Sequence, residues 1–232
     1  MNDVRVVAAG DAALVAEFDD RIDVSVNRRA IAVAQALRHA SLVGVRDIVT
    51  AYRTVTVYFD PLRVDAAELE GQMRAAAAVA PDARELDGPL VHVPVCYDAA
   101  FGPDLDVVAQ FAGIGVREVI DLHASREYRV FMLGFVPGFA YMGTVDLRIA
   151  LPRRSAPRTA VPAGSVAIAG GQTGVYPSQT PGGWHIIGRT PLALVSLDRS
   201  SPSLFAAGDR VRFHEVDRAA FEQIVRAQEF VP

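Results

Sequence analysis

Lysine is absent from this 232-residue chain, and cysteine occurs once, as Cys96. Without lysine the chain carries neither a Schiff-base lysine nor the lysine of a phosphate loop. With one cysteine it forms no internal disulfide and no cysteine-cluster zinc site. No apolar run reaches the roughly 18 residues of a membrane span. The N-terminus, Met1-Asn2-Asp3-Val4-Arg5, has no basic-then-apolar signal pattern. A cytoplasmic protein is expected. The net charge of −4 gives no general attraction to a polyanion, so nucleic acid is not an expected partner.

Enzyme signatures are also missing: there is no G-x-S-x-G, no H-E-x-x-H and no dinucleotide fingerprint in a βαβ setting. His39, His92, His123, His185 and His214 lack metal-ligand spacing, and no metal site is expected. His92 and Cys96 sit four apart on a strand-like run, about 13 Å from one another, too far for a catalytic dyad.

What is present begins with an alternating N-terminal part. Val4 to Val7, Ala13 to Phe18, Val43 to Thr50 and Thr54 to Phe59 read as strands. Ser25 to Ala40 places Val26, Ala30, Val33, Ala34 and Leu37 at helical spacing. Asp65-Ala66-Ala67-Glu68 resembles a capping box and opens a second helix, to about Val79. The order β-β-α-β-β-α predicts a small α/β sandwich over residues 1–80. Residues 81–89, polar and bounded by Pro81 and Pro89, form the expected linker. Residues 90–232 form the expected second domain. It has two short helices near 104–113 and 116–124, then a tract from Gly134 to Gly188 with 10 glycines and 6 prolines. Short strands between such breakers predict a small β-barrel, making the whole chain α+β.

That tract carries the candidate chemistry. Arg148, Arg153, Arg154 and Arg158 against Asp146 leave a local excess of three positive charges. Arginine forks bind carboxylate or phosphate bidentately. Rigid loops with arginines and the aromatics Phe139, Tyr141 and Trp184 suit a small anion; a proline-rich barrel with solvated arginines reads equally well from composition. Arg153, Arg158 and Arg189 are candidate anion ligands, and Gln172 and Thr173 are candidate neutral partners. Tyr141 is a candidate donor to a lactam or carboxylate oxygen, and His123 a candidate acid or base.

Several motifs occur together: Gly102-Pro103-Asp104-Leu105, Leu122-His123, the G-F-x-P-G-F-x-Y run from Gly134, and Pro152-Arg153 with Pro157-Arg158. They continue through V-P-A-G-S-V from Val161, Q-T-G-x-Y-P from Gln172, P-G-G-W from Pro181 and G-R-T-P from Gly188. The set resembles the family of B-type 5-oxoprolinase subunits, also known as allophanate hydrolase subunit 1, which includes KipI, an inhibitor of a sporulation histidine kinase. It is also similar to one half of the carboxyltransferase domain of urea carboxylase. The resemblance implies a cyclophilin-like β-barrel for residues 90–232. It implies a carboxyltransferase-like partner, the C-type 5-oxoprolinase subunit, and a third partner of the A type. It further implies ATP-dependent hydrolysis of 5-oxo-L-proline to L-glutamate by the assembly, with ATP bound by the complex and this chain inactive alone. The KipI members leave a second function open, kinase inhibition through protein contact.

Overall fold

The computed structural model describes residues 4–79 and 87–229. The chain divides into two compact units between Asp87 and Gly88. Residues 80–86, which hold most of the expected linker, lie outside the described residues.

The first unit runs β1 (Arg5–Ala8), β2 (Ala13–Glu17), α1 (Val24–His39), β3 (Val45–Thr50), β4 (Thr54–Phe59) and α2 (Ala66–Val79). Its sheet is antiparallel in the order β1-β2-β4-β3. Alternation on β4 sends Val55, Val57 and Phe59 into a core shared with Val33 and Leu37 of α1 and Leu69 and Met73 of α2. Both helix starts are capped by aspartate. Asp23 accepts from the Ser25 and Val26 N–H groups, and Asp65 from those of Ala67 and Glu68. Each cap satisfies N–H groups that a first helical turn leaves unpaired. The β-β-α-β-β-α order read from the sequence is the order observed.

The second unit contains β5 (Leu90–Val95), α3 (Leu105–Ala112), α4 (Val116–Ala124), β6 (Glu127–Leu133), β7 (Ala140–Gly143), β8 (Arg158–Val161) and β9 (Ser165–Ala169). It continues with β10 (Gln172–Val175), β11 (Thr180–Gly182), β12 (His185–Arg189), β13 (Arg210–Glu215) and α5 (Arg218–Glu229). Seven strands form one sheet in the order β12-β9-β10-β7-β6-β13-β5. Only β13 and β5 pair in parallel within it. The sheet curls until its edges meet. Just past β5, Cys96 N–H donates to Arg189 C=O at 2.8 Å, and Arg189 N–H to Cys96 C=O at 3.0 Å. This seam nearly closes the barrel and hides two edges that would otherwise expose unpaired backbone groups.

Period-two alternation gives the curled sheet two apolar faces. Val166 and Ile168 of β9, Val175 of β10 and Met142 of β7 enter the main core, against which Val108 of α3 and Val119 of α4 also pack. Ala167 and Ala169 of β9 face the other way, into a cluster with Phe139, Val161, Tyr176, Trp184 and Ile186. The β8–β11 pair contributes Val161 to this second cluster. Three strands of the glycine-rich tract, β7, β8 and β11, do not stand out in the sequence; each has four residues or fewer.

Candidate functional site

The second cluster floors a cleft of about 460 Å³ on the outer face of the barrel. Phe139, Tyr141, Tyr176 and Trp184 form its aromatic walls, while Arg153 and Gln172 supply polar groups. Pro152, Pro157 and Pro181 stiffen its rim. Phe139 sits at the centre, meeting Tyr141, Tyr176 and Trp184 edge to face at 4.9, 5.2 and 5.5 Å. Such contacts fix ring orientation beyond simple burial. The volume lies within the range typical of small-molecule sites, roughly 300–1,000 Å³.

Two backbone features shape the walls. A Cβ on Gly174 would fall 2.8 Å from the Ala140 carbonyl oxygen and 3.1 Å from Phe139 Cζ, so the wall closes only over glycine. At the mouth, Phe135 has φ of +67°, and Val136 N–H donates to Gly134 C=O across it at 2.8 Å. That γ-turn is a strained conformation for a residue with a side chain. It ends β6 at Leu133, where the apolar run alone extends the strand to Phe135, and it places the Phe135 ring 5.6 Å from Phe139.

Electrostatically the cleft has one cationic side chain, Arg153, whose guanidinium lies 3.8 Å from where a Cβ on Gly183 would stand. Burial pushes the Tyr141 hydroxyl pKa up, with Arg153 opposing. Burial does the same at Tyr176. Both phenols therefore remain protonated at neutral pH. The arrangement can take up a small anion, its acidic group against Arg153 and its carbon atoms against the rings.

Among the sequence-derived candidates, Tyr141, Arg153 and Gln172 come together in this cleft. The others do not. Thr173 neighbours Gln172 on β10, so its side chain points to the opposite face, where its Oγ1 lies 2.9 Å from His123 Nε2. His123 is fully buried in the barrel core, with Nδ1 2.7 Å from the Tyr97 hydroxyl and its ring stacked on Phe213 at 4.7 Å. Burial lowers its pKa to about 3. A neutral, enclosed imidazole with both nitrogens engaged does not fit the expected acid or base.

Arg158 is likewise held away from the cleft. Its guanidinium forks onto Asp104, a carboxylate 2% exposed that also receives Arg154 Nη1 at 3.1 Å and Ile186 N–H at 2.7 Å. Arg189 donates from Nε to the Ala163 carbonyl at 2.8 Å and lies over the Phe101 ring, where it secures a loop beside the barrel seam. Tyr176 is the cleft residue that the sequence reading misses. It follows Gln172 by four residues, an even offset that marks the same sheet face. Trp184, grouped in the sequence with Phe139 and Tyr141, is a wall of the same cleft.

The family model for the carboxyltransferase domain, subdomains C and D, matches residues 4–205. The B-type 5-oxoprolinase subunit of Bacillus subtilis (strain 168) is 41% identical over 214 residues, covering 88% of this chain and 89% of that protein. The crystal structure of TTHA0988 aligns with a TM-score of 0.79 at 38% identity; the match covers 88% of this chain and 40% of that one. This chain thus corresponds to less than half of the TTHA0988 chain. Kluyveromyces lactis urea carboxylase aligns with a TM-score of 0.76 at 20% identity over 96% of this chain and 22% of its own, a likeness that speaks for the fold alone. The match to the family model over most of the chain, with a relative of like length, shows that this chain belongs to the carboxyltransferase-domain family, subdomains C and D.

Proposed function

We propose that this chain is one component of an ATP-dependent 5-oxoprolinase, which hydrolyses 5-oxo-L-proline to L-glutamate, and that its cleft holds the lactam. The observation that carries the reading is the grouping of Arg153, Tyr141 and Gln172 within an aromatic cleft, in a chain 41% identical to a 5-oxoprolinase subunit of the B type. In this reading Arg153 takes the carboxylate, Tyr141 and Gln172 meet the lactam edge, and the rings exclude water from its apolar carbons.

In this reading the lactam oxygen takes the γ-phosphoryl group of ATP with release of ADP, water adds to the activated carbon, the C–N bond breaks to give the amine and an acyl phosphate, and a second water hydrolyses that to L-glutamate and phosphate. The cleft offers one guanidinium against a triphosphate, so ATP is assigned to the complex rather than to this cleft alone. Among the described residues its lining contains no carboxylate or imidazole to serve as base. The partners in this reading are a carboxyltransferase-like subunit and a third subunit, and the isolated chain is inactive.

The test is glutamate release from 5-oxoproline and ATP by the purified partner subunits, with and without this chain. Turnover that appears only with the chain present supports the reading. No turnover in the complete, folded mixture, or turnover by this chain alone, overturns it.

A further inference from the structure

Tyr176 occupies a setting built around its hydroxyl. The residue is 2% exposed, yet it lines the cleft. A Cβ on Gly182 would stand 2.3 Å from the Tyr176 oxygen, so the hydroxyl keeps its place only because residue 182 is glycine. A protonated phenol in this place can donate to an acceptor in the cleft. Edge-on contacts with Phe139 at 5.2 Å and Phe135 at 6.5 Å hold the ring plane. Arg153 and Arg158 are both close enough to act on the charge of this phenol, and of the two Arg153 lines the cleft. Around Tyr176 and Arg153, the described lining includes no negatively charged side chain that would repel an anion.

We infer that Tyr176 is a second anchor of the cleft, its O–H donating, beside the Arg153 guanidinium, to one oxyanion of a small carboxylic acid. The inference deepens the proposed function and rests on it for the identity of 5-oxoproline, but not for oxyanion binding itself. It gives one purpose to two sequence motifs: Q-T-G-x-Y-P supplies the donor, and P-G-G-W supplies the gap that seats it.

Trp184 is the single tryptophan and a wall of the cleft, so its fluorescence reports occupancy. The intact chain would be titrated with 5-oxoproline, acetate and inorganic phosphate, and with 2-pyrrolidinone as a lactam lacking the carboxylate. At least one anion is expected to bind, and 5-oxoproline more tightly than 2-pyrrolidinone. Tyr176→Phe is expected to weaken anion binding roughly ten- to hundredfold, the usual weight of a hydrogen bond to a charged group. It should leave 2-pyrrolidinone binding unchanged. Gly182→Ala displaces the hydroxyl while keeping the ring, should show the same loss, and decides the matter if Tyr176→Phe does not fold. Failure of every anion to bind overturns the inference. So does wild-type anion affinity in a folded variant, or equal loss of 5-oxoproline and 2-pyrrolidinone. Tyr176-dependent anion binding in a chain whose complete complex releases no glutamate keeps the anchor and removes the 5-oxoprolinase reading.

Discussion

Asp104 grips Arg158 through two hydrogen bonds of 2.8 Å, one from each terminal guanidinium nitrogen to a separate carboxylate oxygen. The same carboxylate receives Arg154 and the Ile186 N–H. Burial pushes its pKa up, but the Arg158 hydrogen bond, the Ile186 N–H and the two arginine charges outweigh burial, and the net shift is downward. The clamp joins the start of α3 to the loop bearing Arg153. Asp104→Ala leaves two arginines facing an uncharged gap. Removing one partner of a buried pair costs about 3–5 kcal/mol. The arginine side chains here keep 25% and 30% exposure, so the lower end, about 3 kcal/mol, is expected in urea unfolding. A loss under roughly 1 kcal/mol, the surface-pair range, would show that the clamp holds nothing.

The neighbouring arginines should therefore separate in their effects. Arg153→Ala is expected to weaken 5-oxoproline binding roughly ten- to hundredfold, as loss of a charge-assisted contact does. Its unfolding midpoint should stay near that of the wild type. Arg158→Ala should do the reverse, lowering the midpoint by several degrees with a smaller effect on affinity. Paired titrations and thermal melts check this, and equal loss of affinity in both variants would contradict the assignment.

These two residues also show where the sequence can be read and where it cannot. Alternation on β10 separates Gln172 from Thr173 and joins Gln172 to Tyr176, so that much of the cleft is legible from period two alone. Arg153, in the loop between Pro152 and Pro157, and Arg158, which opens β8, each follow a proline and look alike in sequence; what distinguishes them is the contact of Arg158 with Asp104, which is distant in sequence. The barrel seam at Cys96 and Arg189 is non-local in the same way. The Phe135 γ-turn is illegible for another reason. Positive φ ordinarily selects glycine, and here the chain places phenylalanine there. The N-terminal unit is easier because its elements follow local rules: aspartate caps, helical spacing on α1 and alternation on β4.

Gly174 should be intolerant of a side chain. A Cβ there meets the Ala140 carbonyl, Phe139 and Trp184 at 2.8, 3.1 and 3.3 Å. A rigid backbone oxygen cannot yield as a flexible side chain would, so the strands or the rings must move. Gly174→Ala is expected to cost about 1–3 kcal/mol, as overpacking does, and to shift Trp184 emission. Unfolding and fluorescence of the variant test both, and wild-type values for the pair would show that the wall can give.

His123 makes the last prediction, in the barrel core. Thr173 Oγ1 donates to the Ala167 carbonyl at 3.1 Å, so it must accept from His123 Nε2–H at 2.9 Å. His123 Nδ1 is then the acceptor for the Tyr97 O–H at 2.7 Å. The network thus fixes a neutral tautomer, and burial lowers the imidazole pKa from 6.5 to about 3. Between those values the unfolded chain binds a proton that the folded chain refuses. Stability from this group is fully present above pH 6.5 and is lost as pH falls toward about 3. The slope is at most about 1.4 kcal/mol per pH unit. Urea unfolding of the wild type and His123→Gln across this range isolates the contribution by subtraction, since other titrating groups are common to both. The difference should shrink with acidity. A difference that stays constant would mean that His123 takes up its proton inside the fold. 5-Oxoproline binding at neutral pH should be the same in both proteins, because the imidazole lies on the opposite face of β10 from the cleft.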